Sequence, residues 1–197
     1  MRIASIIARA CGAASLVGLV VLQAGCGASA LSQAQAKADV MRAETSAARL
    51  EAAGDESGRF GDMTRAEQYY VAALKAGGDE RGLAQKLVIA CVTDGRFPAA
   101  IQYAEDYLLR HPRDIGLRFA SAAMSAAIGD GEKARTGYER VLEGQPDLAE
   151  AHYALASILT EEEDAALATD HYRTYVKLAP HGAYAESAKA ALRRSAQ

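Results

Sequence analysis

Three of the four prolines in this chain recur at one fixed spacing. Pro112, Pro146 and Pro180 stand 34 residues apart. Proline has no amide hydrogen and disfavours helix in the residue before it, so each of these prolines is expected to end a helix. Self-similarity at such a period indicates repeated pairs of helices that stack on one another. The spacing divides much of the chain into three blocks of equal length, 81–114, 115–148 and 149–182.

Other residues recur with the same phase as the prolines. Gly95 and Gly129 occupy one turn position, which Glu163 takes in the third block. Tyr138 and Tyr172 share an aromatic position in the second half of their blocks. Alanine is abundant and is the strongest helix former, which agrees with a helical repeat. A position where a small residue lets two helices approach closely holds Ala100, Ala134 and Ala168.

This combination of period, turn, small residue and proline resembles the tetratricopeptide repeat (TPR) family over residues 81–182. One feature of the family is missing, because its usual tryptophan near the start of each block is replaced. The residues at that position are Ala84, Arg118 and His152.

The resemblance implies an all-α fold, a right-handed α-solenoid of stacked antiparallel helix pairs. We expect three full TPR repeats, which are the three blocks. An earlier, degenerate repeat is expected over 31–80, with a long link at 54–62 between its two helices. A capping helix and tail are expected over 183–197, because the apolar edge of the last repeat has to be covered.

The N-terminus has the pattern of a secretory signal peptide over residues 1–25. Arg2 and Arg9 give it a positive start. Residues 10–22 are mostly apolar, but this stretch is too short and too rich in glycine to span a membrane comfortably. The signal peptide is therefore not part of the predicted fold.

The segment LQAGCG, Leu22 to Gly27, resembles a bacterial lipoprotein processing site, in which the cysteine becomes the first mature residue and carries acyl chains. The resemblance implies lipidation at Cys26, followed by a short tether over 26–30, and stable membrane binding. Gly27 after the cysteine implies an outer-membrane lipoprotein that faces the periplasm of a bacterial cell envelope. The alternative is an ordinary signal peptide with an incidental cysteine.

The sequence contains none of the common enzyme signatures. The four histidines show no metal-ligand spacing, and the net charge of −3 comes without a basic stretch that would bind nucleic acid. We therefore expect no catalytic residue, cofactor, metal or small-molecule substrate. The acidic run at 161–164 favours a solvated turn, with Asp164 as a helix cap, over a calcium site. Cys91 is expected to be a small buried hydrophobe, and His152 a packed residue.

The TPR resemblance implies a concave groove, lined by the first helix of each pair, that binds a peptide or a partner's helix. Phe119 and Tyr153 are candidate anchors, since aromatic residues are enriched among energetic hot spots; packing against the adjacent repeat is the alternative for each. Gln85 and Ile89 replace the clamp with which the chaperone-binding subfamily grips a carboxylate, so an apolar or helical partner segment is expected. The predicted groove residues are Gln85, Ile89, Val92, Phe119, Ala123, Ala126, Tyr153, Ser157 and Thr160.

The expected function is that of a non-catalytic scaffold or assembly factor that is anchored by lipid and binds another envelope protein. The chain looks like the small repeat lipoproteins that assist the assembly of pili or secretion pores (pilotins), at the level of the class. The alternative is a recruitment module for cell-wall or polysaccharide machinery. A third hypothesis is an enzyme, but the sequence shows no group of polar residues in the groove that would support it.

Replacement of Cys26 by serine is expected to abolish membrane retention, because serine does not take the acyl chains that anchor the protein. The measurement is fractionation of cells that express the Cys26→Ser variant. The matched control is Cys91→Ser, which removes the other cysteine outside the predicted signal peptide and should leave anchoring intact. Membrane association of Cys26→Ser that survives a high-salt wash would contradict the anchor.

Overall fold

The structure is a computed structural model that describes residues 21–195. The chain forms two compact units that divide between Thr45 and Ser46. Within residues 21–195 the regular structure consists of ten α-helices. They are α1 (Val21–Glu44), α2 (Ala47–Arg59), α3 (Met63–Lys75), α4 (Glu80–Thr93), α5 (Phe97–Arg110), α6 (Ile115–Ala127), α7 (Gly131–Gly144), α8 (Ala149–Glu161), α9 (Ala165–Leu178) and α10 (Ala185–Arg194).

The first unit contributes α1, a helix of 24 residues. This helix contains Cys26, the predicted lipidation site, and the backbone of the predicted tether at 26–30 is helical. Most of the predicted signal peptide, residues 1–20, lies outside the described residues. In the described part of the chain, no helix is both long enough and apolar enough to cross a membrane.

The second unit is a stack of helix pairs. α2 packs on α3, α4 on α5, α6 on α7 and α8 on α9, and each pair contacts the next one along the chain. α10 packs against α9, at the end of the stack where a capping helix belongs. The second helices of the four pairs begin 34 residues apart, at Met63, Phe97, Gly131 and Ala165.

The long link predicted at 54–62 within the first repeat is wrong, because residues 54–59 are helical. α2 continues to Arg59, and only residues 60–62 separate it from α3. The repeat occupies 47–80 and keeps the 34-residue phase of the three blocks that follow it. The second unit therefore contains four repeats, to which α10 is added.

Gly54 explains why the sequence of α2 resembles a loop from residue 54 onward. It lies in the middle of the helix and is buried. A β-carbon added to Gly54 would lie 2.4 Å from Cε1 of Tyr70 on α3, so glycine is what lets the two helices approach this closely. Glycine in a helix normally weakens it, and a linear pattern does not distinguish a glycine needed for packing from one in a loop.

The turn within each pair uses one left-handed residue at the predicted position. Gly61, Gly95 and Gly129 have φ values of 82°, 70° and 80°. Glu163 takes the same position in the fourth repeat with φ 63°, in the region that side chains with a β-carbon disfavour. The fourth turn therefore carries backbone strain that the other three lack.

Aspartate caps the second helix in three of the four pairs. The side chains of Asp62, Asp130 and Asp164 each accept a hydrogen bond from the backbone amide three residues later. The prediction of Asp164 as a helix cap is confirmed. Arg96 takes this position in the second pair, where it makes no cap and instead pairs with Glu67 at 2.6 Å.

Small residues form the contact between the two helices of each pair. Larger side chains such as Leu83 and Leu87 fill the space between successive pairs. Cys91 is fully buried among them, as predicted, and burial raises the pKa of its thiol. The alanines at the small-residue position are all buried: Ala66, Ala100, Ala134 and Ala168.

His152 is a packed residue, as predicted, and it pairs with a second histidine. Its Nε2 lies 2.9 Å from the carbonyl oxygen of Pro146 and its Nδ1 lies 2.8 Å from Nδ1 of His171. In the neutral pair Nε2 of His152 donates to the carbonyl, so its Nδ1 accepts the proton of His171. Burial, and then the neighbouring His152, lower the pKa of His171. Within residues 21–195, no group of three or more histidine, cysteine or acidic residues is placed to hold a metal ion.

Replacement of Glu163 by glycine is expected to raise the free energy of unfolding by about 0.5–1 kcal/mol, because glycine adopts the left-handed conformation without strain. The matched control is Gly129→Glu, which puts the same side chain into the corresponding turn of the third repeat, where the space around it is open. That variant should lose about 1 kcal/mol. Denaturant unfolding followed by circular dichroism measures both, and a loss of stability in Glu163→Gly would contradict the strain assigned to this turn.

Candidate partner-binding groove

The predicted groove residues lie on α4, α6 and α8, the first helices of the last three pairs. Their surroundings differ along the stack. On α4, Gln85 is exposed, Ile89 has 63% of its surface exposed and Val92 has 37%. These three side chains are therefore available to a partner.

Ile89 borders a half-open cleft of about 390 Å³ between the first two repeats. The cleft is formed by α2, α3 and α4. Met63, Ala90 and the ring of Tyr70 make much of its wall apolar, and Lys86 stands at its border. A cleft of this kind can accept one apolar side chain next to a charged group.

A charged cluster that was not predicted from the sequence borders this cleft. Nζ of Lys86 on α4 donates to the carboxylate oxygens of Asp55 at 2.6 and 2.7 Å and lies 2.8 Å from Oε1 of Glu51. The hydroxyl of Tyr70 donates to Asp55 at 3.0 Å. Nζ of Lys86 also lies 5.6 Å from the centre of the Tyr70 ring, within cation–π distance. The cluster joins α2, α3 and α4 at the edge of the cleft.

These contacts set the charge of the cluster. Burial works to raise the pKa of Asp55, but the hydrogen bonds from Lys86 and Tyr70 outweigh it and hold that pKa below its ordinary value. Burial and the bond to Asp55 raise the pKa of Tyr70 to about 12. Burial works against the ammonium of Lys86, yet its bonds to Asp55 and Glu51 raise its pKa. Arg59 also lines the cleft and lowers the pKa of Asp55 through its charge. Its guanidinium and the ammonium of Lys86 match the two carboxylates in number, so charges of both signs border the cleft.

Phe119 on α6 is half-buried and packs against the core of the last two repeats. Its ring meets the ring of Tyr138 edge-on, with centroids 5.3 Å apart. Ala123 is half-buried and Ala126 is exposed on the same helix. This part of the predicted groove presents small side chains and only one face of an aromatic ring.

Tyr153 on α8 lies in a cluster of four tyrosines at the C-terminal end of the stack. Its ring stacks on Tyr184 with centroids 4.4 Å apart, and its centroid lies 5.8 Å from Tyr172 and 5.3 Å from Tyr175. The hydroxyl of Tyr175 accepts a hydrogen bond from the amide of Tyr184 at 2.9 Å. These contacts favour the packing alternative for Tyr153.

The last two predicted residues of α8 bond within their own repeat. The hydroxyl of Ser157 donates to the carbonyl oxygen of Tyr153 at 3.1 Å, and that of Thr160 donates to the carbonyl oxygen of Ala156 at 2.7 Å. Both hydroxyls also lie within 3.5 Å of the hydroxyl of Tyr172. The groove surface is thus polar at this end and apolar near Ile89.

Similar solved structures identify the class of fold. A tetratricopeptide repeat protein from Parabacteroides merdae is 20% identical and aligns with a TM-score of 0.69 over 76% of this chain and 60% of its own. YrrB, described as a TPR protein with an unusual peptide-binding site, is 21% identical, with a TM-score of 0.64 over 84% of this chain and 86% of its own. MamA is 19% identical, with a TM-score of 0.65 over 78% of this chain and 87% of its own. No family model and no curated protein matches the sequence.

The chain therefore has the TPR fold, and the predicted all-α solenoid of stacked helix pairs is confirmed. It spans about 60% of the length of the Parabacteroides protein.

The period that identified the later repeats also contains the signal for the residues missed at the first one. Glu51 and Asp55 stand 34 residues before Gln85 and Ile89, although Asp55 falls in the link that was predicted at 54–62. Counting one period back from residue 81 would have placed both carboxylates on the groove helix of a first repeat. Tyr184 could not be found in this way. It follows the last repeat, so the period does not predict its contact with Tyr153.

Tyr153→Ala is expected to lower the free energy of unfolding by about 2–3 kcal/mol, because it removes one ring from a packed aromatic cluster. Ile89→Ala is the matched control and should change it by less than about 0.5 kcal/mol, since that side chain is largely exposed. Denaturant unfolding of both variants makes the comparison. Equal losses would contradict the division of the predicted groove into a packed end and an open end.

Proposed function

We propose that this chain is a non-catalytic TPR scaffold whose groove binds a segment of another protein. One observation carries the proposal: Ile89 is 63% exposed beside an open cleft of about 390 Å³. Val92, one turn further along α4, extends the exposed apolar surface. Apolar surface bordered by charged side chains is a common feature of protein interaction sites.

The chemistry of the cleft defines the partner segment. An apolar side chain fits against Ile89 and the ring of Tyr70. A polar or charged residue close to it can pair with Glu51, Asp55 or Lys86 at the edge of the cleft. A short helix or peptide that presents both groups on one face meets these requirements.

The fold shared with YrrB supports a peptide as the ligand, because YrrB is described as having a peptide-binding site. Its similarity to this chain covers 84% of the residues and so includes several repeats. We place the binding site of this chain at the cleft beside Ile89, where the first two repeats meet.

The proposed place of action is the periplasmic face of the outer membrane, where an acyl chain on Cys26 anchors the protein. The support is the sequence Ala24-Gly25-Cys26 after an apolar stretch, as in bacterial lipoproteins. In this setting the scaffold would assist the assembly of an envelope complex of the pilus or secretion-pore type. The lipid keeps the repeats close to the membrane while the groove stays free for the partner.

The test is a pull-down from envelope extract with residues 27–197, comparing the original sequence with Ile89→Glu. The variant puts a carboxylate in the place of the exposed apolar contact, so it should reduce partner capture about tenfold or more. The matched control is Leu167→Glu, which adds the same charge on α9, a second helix of a pair, and should leave capture unchanged. Circular dichroism checks that helical content is the same in all three proteins.

Equal capture by Ile89→Glu and the original chain would contradict the groove as the binding site. Mass spectrometry of the captured protein separates the two classes of process. A pore or pilus subunit supports assembly of such a complex, whereas a wall or polysaccharide enzyme would contradict that role.

A further inference from the structure

The position that carries tryptophan in the TPR pattern is filled differently in each repeat. Leu50 takes it in the first repeat and packs against the core. Arg118 takes it in the third repeat and donates to the carbonyl oxygen of Pro112 at 2.8 Å. His152 takes it in the fourth repeat and bonds to His171. Ala84 takes it in the second repeat, and its methyl group leaves most of the space of a tryptophan unfilled.

A half-open cavity of about 310 Å³ lies above Ala84. It is bounded by α3 and α5, the second helices of the first two pairs, with α4 between them. This is a different surface from the groove, whose residues Gln85 and Ile89 point elsewhere on α4 and do not line it. The cavity walls are Val71, Leu74, Ala84, Leu87, Tyr103 and Tyr107.

Contacts with neighbouring side chains hold the rings of Tyr103 and Tyr107 in the cavity wall. The hydroxyl of Tyr103 donates to Oε1 of Glu67 at 2.7 Å. The ring of Tyr107 stacks on the ring of His111 with centroids 4.3 Å apart, and its hydroxyl lies 3.5 Å from Oδ2 of Asp114. Because both rings are fixed before anything enters, the cavity is preorganised and loses little side-chain freedom on binding.

We propose that this cavity binds one aromatic side chain of a partner polypeptide, a tryptophan or phenylalanine that fills the place of the missing repeat tryptophan. Its volume is at the small end of ligand pockets, the size of a single ring system rather than a whole ligand. Two tyrosine rings and two leucines offer such a ring edge-to-face and stacking contacts together with apolar surface.

The charges at the rim define the residue next to that aromatic side chain. Arg110 is already paired with Glu80, and Asp106 accepts a hydrogen bond from Gln102 at 2.7 Å. Lys75 is exposed at the rim and forms no ion pair with any described side chain. Asp106 keeps its charge, because Gln102 is a neutral donor, but it lies on α5, whereas Lys75 lies on α3. A carboxylate on the α3 side of the aromatic ring would pair with Lys75, so the partner motif is an aromatic residue followed or preceded by an acidic one.

The chain contains no tryptophan, so the fluorescence of a tryptophan probe reports binding without background. The probes are the capped tetrapeptide Ala-Trp-Glu-Ala, its glutamine counterpart Ala-Trp-Gln-Ala, and free indole, each titrated with the full chain. The acidic peptide should show a blue shift of its emission on binding, because the indole ring leaves water. It should bind roughly twofold to fivefold more tightly than the glutamine peptide, the range of an exposed ion pair.

Two variants test whether the peptide binds in this cavity. Ala84→Phe fills the cavity from within and should weaken binding of the acidic peptide by about tenfold or more. Arg118→Phe is the matched control, because it adds the same ring at the same position of the next repeat and leaves the cavity open. Lys75→Met changes only an exposed side chain and should abolish the preference for the acidic peptide, which keeps the test valid if Ala84→Phe does not fold.

A blue shift and affinity that survive in folded Ala84→Phe would overturn the proposal, as would an acidic preference that survives in Lys75→Met. The absence of any blue shift with the original chain would overturn it too. Indole that binds as tightly as the acidic peptide would assign the cavity to a small aromatic ligand and contradict a polypeptide partner. None of these outcomes bears on the groove, which Ile89→Glu tests separately.

Discussion

The close approach of two helices within each pair is the contact on which the rest of the structure depends. It requires a residue without a large side chain at one position of every second helix, and Ala66, Ala100 and Ala134 are fully buried there. In the first pair the approach is closer still, because Gly54 lets the ring of Tyr70 lie against the backbone of α2. Once the pairs have this fixed geometry, the left-handed turn repeats in each pair, and successive pairs stack in one manner. A proline follows the second helix in the last three pairs.

The two candidate binding surfaces both follow from this stacking. Where a first helix faces outward, Ile89 is left exposed beside a cleft that the charged cluster of Lys86 borders. Where the second helices α3 and α5 lie on either side of α4, the side chain at the tryptophan position affects whether the space between them is filled. Ala84 does not fill it, so the second repeat has a cavity where the fourth has a histidine pair. The same stack of helix pairs therefore has two separate apolar surfaces.

The sequence predicted the fold from residue 81 onward because periodicity is a property of spacing, which a linear pattern records directly. It failed at α2, because Gly54 and Gly58 are as compatible with a loop as with a helix, and only the contact with Tyr70 distinguishes the two. The candidate site was predicted only in part, again because periodicity identifies some of its residues and not others. Repeat position identified Ile89 as groove-facing, but the packing of Tyr153 against Tyr184 and the ion pairs of Lys86 depend on residues that periodicity does not connect.

The central claim is that four in-phase helix pairs form the second unit, with α2 as the first helix of the first pair and one wall of the Ile89 cleft. Amide hydrogen exchange over residues 54–59 tests it most directly, because the amides of a helix packed on α3 exchange slowly and those of a flexible link exchange at once. We expect these amides to be protected well above the level of a flexible link. Rapid exchange across 54–59, with α3 and α4 protected, would contradict it.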